Sequence, residues 1–166
     1  MSVAFTREQD LEATAADLPD RPISAHPNLV TASGLAQLDA ALADARAAYA
    51  AAQGAGADVQ ADRTAMARAT RDLRYYAARR ASAQLQPEPA GEAAVVFGST
   101  VTFDREDGRR QTFRIVGEDE ADPAKGAVSY VSPLARALLR KRVGDVALVA
   151  GAEVEVVAIS PAPGAT

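Results

Sequence analysis

The sequence has no cysteine, no tryptophan and only one histidine among its 166 residues. Without cysteine there is no disulfide framework, thiolate zinc site, thiol nucleophile or redox pair, and nothing calls for an oxidising compartment. No run approaches the ~20 apolar residues needed to span a bilayer. The amino terminus, MSVAFTREQDLEAT, meets charge too early to supply the apolar stretch of a secretory signal. A cytoplasmic chain with no membrane contact is therefore expected. Basic charge is also short, since 18 Lys and Arg against 22 Asp and Glu leave a net charge of −4. That balance argues against tight phosphate neutralisation, so nucleic acid would be met only indirectly, through a partner.

The absences extend to catalysis. The one histidine, His26, lies in a proline-flanked arm, and the sequence has no glycine-rich phosphate loop and no metal-ligand cluster. His26 reads as a surface or docking residue, and the chain as a monomeric binding protein with no cofactor of its own.

What is abundant is alanine. Hydrophobic residues make up 48% of the chain, and 40 of them are Ala, 27 within the first 90 residues. A single methyl buries little apolar area, so the usable core is smaller than the percentage suggests.

Residues 1–30 carry Pro19, Pro22 and Pro27 with scattered charges and no sustained period, which reads as an arm without a core, although Ile23 and Leu29 could dock on the body. From Thr31 the composition turns helix-forming. Leu35, Leu38, Leu42, Ala45 and Tyr49 repeat at spacings of three and four, with Thr31 or Ser33 available as the N-cap. The pattern breaks at Gly54-Ala55-Gly56. It resumes with Val59, Met66, Ala69, Leu73 and Tyr76 until Pro87 and Pro89. Residues 31–86 are thus expected to form an antiparallel helical hairpin, with Arg46, Arg63, Arg68, Arg71, Arg74, Arg79 and Arg80 and Asp39, Asp44 and Asp72 on solvated flanks. Tyr75 and Tyr76 beside Arg74, Arg79 and Arg80 could also be read as a stacking and phosphate surface for single strands.

Residues 87–92, within QPEPAGE, read as a linker. Beyond it, over 93–161, β-branched and aromatic residues appear in short alternating runs: Thr100–Phe103, Arg110–Val116, Ala127–Val131 and Val154–Ile159. Asp107-Gly108 is a hairpin turn signal between the first two. Ser132-Pro133 followed by LARALLRK reads as a helix start, with Leu134, Leu138 and Leu139 inward and Arg140, Lys141 and Arg142 at the end that favours cations. The expected fold is α+β: a helical hairpin, then a mainly antiparallel sheet covered by one helix.

The segments RIVGEDEADP, SYVSPLARALL and RVGDV, in this order and spacing, resemble the carboxy-terminal domain of the GreA/GreB family of bacterial transcription elongation factors, from about Val96 to Val149. The resemblance implies an FKBP-like domain that grips the rim of the RNA polymerase secondary channel, and a preceding hairpin that points into it. By position it places Tyr130, Val131, Ser132 and Pro133 on the main polymerase-contacting loop, with Asp119, Glu120 and Asp122 in the acidic loop beside it. Family members often carry an acid where this chain has Val131. The residues themselves allow two readings. An acidic cluster beside a proline-stiffened turn is a preorganised docking patch, or Ser132 and Pro133 simply start a helix and the acids are solvated.

The hairpin departs from the family. Cleavage-stimulating members carry an Asp and a Glu at the tip, in a motif of the kind GDLSENAEY, which help hold catalytic magnesium in the polymerase. This chain reads QGAGADVQADRTA, where Asp58 and Asp62 are the acids. Four residues apart on a helix they would share a face, as magnesium ligands acting in trans at the polymerase site should. The plainer reading is that an Asp near a helix start complements the helix dipole and Asp62 is ordinary surface. The family pattern also has close to thirty residues before the tip, where Gly34 to Gly54 spans only twenty. At 1.5 Å per residue the shortfall is roughly 15 Å. These features imply a factor that binds polymerase and modulates elongation without stimulating cleavage. The alternatives are a cleavage-stimulating factor working through Asp58 and Asp62, or an interaction adaptor like the Rnk type, called a regulator of nucleoside diphosphate kinase.

Overall fold

The computed structural model describes residues 18–54, 59–91 and 93–161. It divides into two compact units, one of residues up to Ala25 together with Leu38–Ser82, the other of His26–Gln37 together with the chain from Ala83 onward. Among the described residues no helix is long and apolar enough to cross a membrane.

Two long helices dominate the first unit, α1 (Ala32–Gly54, whose first turns belong to the second unit) and α2 (Val59–Ser82). Leu38, Leu42 and Ala45 of α1 and Ala69 of α2 are buried, while Tyr49, Met66, Leu73 and Tyr76 are half-buried, as the three-and-four spacing requires. The flanks are less uniformly solvated than expected. Arg79 is only 2% exposed, so its aliphatic stem belongs to the packing. Arg80 pairs with Asp39 between α2 and α1. Residues Asp20 and Arg21 lie along α2: Arg21 stacks 3.8 Å from the Tyr75 ring centroid and reaches Asp72 at 3.4 Å, and Arg74 reaches Asp20 at 3.3 Å. Tyr75 thus serves as a platform for Arg21. Ile23, by contrast, is 51% exposed. Helix α1 runs to Gly54, and the rest of the expected turn, with Asp58, lies outside the described residues.

In the second unit, β1 (Leu29–Val30) pairs in parallel with β2 (Gln84–Leu85). A five-stranded sheet follows, from β3 (Thr100–Arg105), β4 (Arg110–Val116), β5 (Ala127–Ser129), β6 (Val146–Val149) and β7 (Ala152–Ser160), in the order β5-β4-β3-β7-β6. Three of its four pairings are antiparallel, and β4–β5 is parallel. The Asp107-Gly108 hairpin forms as its turn chemistry requires, with Gly108 at φ 79°. Alternation places Val101 and Phe103 of β3 and Val154 and Val156 of β7 in a core shared with Ile115, Val128 and Leu138. A bulge opposite Thr102/Phe103 leaves Val157 without a partner on β3 and shifts the inward set from Val156 to Ile159.

Helix α3 (Pro133–Leu138) starts where the sequence places it but ends early. Arg140 takes a left-handed φ of 70°, and the chain turns to pair its backbone with Val95. Arg140, Lys141 and Arg142 therefore lie beyond the helix rather than on its last turn. Strand β5 also stops at Ser129, short of the expected Val131, because Tyr130 and Val131 enter the turn that leads to α3.

Candidate functional site

The acidic loop follows β4 and the Ser132-Pro133 turn follows β5, so both leave the same end of this parallel pair, whose register runs from Arg114↔Ala127 to Val116↔Ser129. Within this region the structure separates residues that look alike in sequence.

Glu120 points inward. Its side chain is 8% exposed and lies 3.9 Å from the Arg114 guanidinium, which also holds Glu88 at 3.1 Å. The Thr31 hydroxyl donates to Glu120 Oε2 at 2.6 Å, and the Ser33 hydroxyl donates a short bond to Oε1. Thr31 Oγ1 in turn accepts the Gly34 N–H at 3.0 Å, which makes Thr31 the N-cap of α1. The carboxylate thus stands behind the cap at the positive end of a helix, where an anion is favoured. Gly34 is what lets it approach, since a Cβ there would lie 2.6 Å from Oε2. Gly117 plays the same part on the other side of the loop, because a Cβ at that position would lie 2.3 Å from the Leu29 carbonyl oxygen.

Tyr130 is also partly committed to the interior. Its hydroxyl donates to the Pro27 carbonyl, its ring meets Phe97 edge-on at 5.7 Å, and its N–H donates to Val116 O at 2.9 Å. Asp119 is half-buried. The Asp122 side chain is 44% exposed, stands at the N-cap position of the short 3-10 turn Pro123–Lys125 without a side-chain capping bond, and lies 3.8 Å from Lys125 Nζ. Val131 is half-buried. Ser132 caps α3 by accepting the Ala135 N–H at 3.2 Å. Pro133, at the first helical position, is exposed. The outward set on this side of the unit is therefore Pro133 and the Asp122 side chain, flanked by the half-buried Asp119, Val131 and Ser132.

Sequence reasoning missed Arg114, Thr31, Ser33, Gly34 and Gly117 as parts of this constellation, although the two glycines were visible at motif positions. Asp62 is half-buried in the first turn of α2, and Asp58 lies outside the described residues. Among the described residues no group of three or more His, Cys, Asp or Glu could hold a metal ion, and Asp62 alone offers a single carboxylate.

Comparison with known proteins bears on the second unit. A family profile described as "Transcription elongation factor, GreA/GreB, C-term" matches residues 90–161. The transcription elongation factor GreB of Neisseria meningitidis serogroup B is 55% identical over 51 residues, 31% of this chain and 31% of its own length. The transcription elongation factor GreA of Desulfovibrio desulfuricans is 38% identical over 95 residues, 56% of this chain and 57% of its own length. The chain thus spans between about a third and a little over half of these relatives. The crystal structure of GreA factor homologue 1 of Thermus thermophilus is 25% identical, covering 81% of this chain and 99% of that one, with a TM-score of 0.38. The segments RIVGEDEADP and SPLARALL both fall inside the matched residues 90–161, so this part of the chain is similar to the carboxy-terminal domain of the GreA/GreB elongation factors.

Proposed function

We propose that this protein is a transcription factor of the Gre type that binds bacterial RNA polymerase at the secondary-channel entrance and modulates elongation without stimulating transcript cleavage. It acts as a monomeric binding protein rather than an enzyme, and meets nucleic acid only through polymerase. The observation that carries the reading is the exposed Pro133, presented on a turn that Ser132 caps and the β4–β5 register holds in place, within the domain the family shares. Such a turn is already ordered before docking, so little entropy is lost on binding. Asp119 and Asp122 beside it complement a basic partner surface. Glu120 and Tyr130 contribute indirectly, by fixing the loop from within.

The cleavage-negative part of the proposal rests on the short first helix, 23 residues in α1, and on a tip without the family's Asp-Glu pair. Magnesium ligation tolerates errors of only tenths of an ångström, so a tip short by roughly 15 Å could not assist the reaction.

Binding to purified bacterial core polymerase, followed by co-elution, is the test. Pro133→Arg is expected to weaken it at least ~10-fold, about 1.4 kcal/mol, with the fold unchanged. A cleavage assay on backtracked complexes is expected to show no stimulation. Cleavage that disappears in Asp58→Ala/Asp62→Ala would establish the active reading, and a failure to bind polymerase would leave the adaptor reading.

A further inference from the structure

The outer edge of the sheet is built to accept another strand. Among the described residues, strand β6 has a neighbour on one side only, β7. The two are joined across Ala150-Gly151, both with positive φ (51° and 81°), a two-residue turn that makes Val149↔Ala152 a hydrogen-bonded pair. Ladder alternation then assigns Ala147↔Val154 to the next bonded pair. The N–H and C=O groups of Val146 and Leu148 are left directed off the sheet.

The same two residues expose their side chains. Val146 is 47% and Leu148 67% exposed, and Val143, just before the strand, is 59% exposed. These are three of the five large hydrophobics exposed among the described residues, gathered on one edge. Val146–Val149 carries neither the lysine nor the proline that usually protects an edge.

Charge then selects the occupant. Opposite Val146 and Leu148 in the register stand Glu155 and Glu153, both exposed. Together with Asp104, Glu106 and Arg105, whose Nε is bonded to Gln111, they line an open pocket of about 190 Å³ that Val146 also borders. Asp104 is taken by Arg110 and Glu106 accepts the Glu153 N–H, but Glu153 and Glu155 make no ion pair among the described residues.

We propose that the β6 edge binds an extended segment of a partner protein with arginine or lysine at alternate positions. Main-chain bonds to Val146 and Leu148 would supply the pairing. The two carboxylates lie two strand spacings from the added chain, ~10 Å. Only long side chains cross that distance, and their methylene stems cover the exposed Val146 and Leu148 on the way. One residue type at a spacing of two therefore satisfies both the apolar edge and the acids behind it. A second copy of this chain does not fit as well, because Val146–Val149 brings no cation to Glu153 or Glu155. This inference does not depend on polymerase binding.

The test uses the full chain and the synthetic peptide Thr-Arg-Val-Arg-Val-Arg-Thr, followed by amide NMR at low salt. Saturable shifts and new exchange protection at Val146 and Leu148 are expected. The variant Leu148→Pro removes an outward N–H without touching the β6–β7 ladder and should abolish binding. The variant Glu153→Lys/Glu155→Lys leaves the edge intact and should weaken binding at least ten-fold. Equal binding of Thr-Glu-Val-Glu-Val-Glu-Thr, full binding by both variants, no binding by the wild-type chain, or self-association through β6 would each overturn the proposal.

Discussion

Replacing Gly117 with alanine tests whether the close approach of β1 to the end of β4 holds the second unit together. The added Cβ would sit 2.3 Å from Leu29 O and 3.7 Å from Val30 Cα, both backbone atoms that cannot rotate away. Relief needs a retreat of roughly 1 Å or more. Val116 is fixed by its pairing with Ser129, so the segment that yields is Leu29–Val30. Its displacement breaks the bonds Gln84 N–H to Asn28 O, 2.8 Å, and Gln86 N–H to Val30 O, 2.9 Å. Each is worth about 1 kcal/mol. It also exposes Val30, now 3% accessible, at about 1.5–2 kcal/mol. The lower entropy of the unfolded alanine chain returns about 0.5 kcal/mol. The net expectation is a loss of about 3 kcal/mol. Gly108→Ala is the control, because nothing lies within 4 Å and only its φ of 79° is strained; it should cost about 1 kcal/mol. Urea unfolding read from the amide signals of the core residues Phe103 and Ile115 isolates this unit. A Gly117→Ala loss no larger than that of Gly108→Ala would refute the reasoning.

Three further outcomes follow from the same geometry. Glu120→Ala removes the acceptor of both the Thr31 and Ser33 hydroxyls and should destabilise by about 2–4 kcal/mol, whereas Asp122→Ala should stay within about 0.5 kcal/mol; comparable losses in urea unfolding would contradict the inward assignment. Ala150→Asn relieves a left-handed alanine at φ 51° and should raise stability by about 0.5–1 kcal/mol, seen as a higher urea midpoint. The Arg110 guanidinium, bonded to both oxygens of Asp104 at 2.7 and 2.9 Å, holds that carboxyl below its ordinary 3.8. The bonded, ionised form is thus the one present above the ordinary carboxylate range, and it is lost as pH falls through the lowered folded-state value. Carboxyl NMR should find Asp104 titrating below 3.8 and Arg110→Ala should return it there; a titration unchanged by the substitution would count against the pair.

The sequence made the long elements legible because their signals are physical and local. The three-and-four spacing from Leu38 to Ala45 set the buried stripe of α1, and Asp107-Gly108 set the β3–β4 turn. Strand β6 was missed because its turn, Ala150-Gly151, lacks the Asn or Asp that usually marks two residues of positive φ. The parallel β4–β5 pair and the two-residue β1 and β2 were invisible for another reason: their partners are distant in sequence and no local pattern encodes them. Arg79 shows the limit of reading charge as solvent exposure, since a long stem can be buried while its polar end is satisfied. At the candidate site, Ser132 and Pro133 were read correctly as a capped helix start. Glu120 could not be assigned from its neighbours, because three acids within four residues look equivalent until Thr31 and Ser33, almost ninety positions away, are brought beside one of them.

That assignment changes how the acidic segment after β4 should be understood in this chain. In RIVGEDEADP, Arg114, Gly117 and Glu120 all turn toward residues 27–34 or 88, and each meets a group that only this fold supplies. A motif so constrained from inside needs no partner to account for its residue types. The case for a docking surface therefore cannot rest on the motif's acidity. It rests on what remains outside, Asp122 and the exposed Pro133 on its capped turn. A patch with few uncommitted charges gains little from long-range steering and relies on shape held rigid in advance. The inward anchoring of Glu120 and Tyr130 supplies that rigidity. Loosening either should therefore impair docking while leaving every outward residue in place.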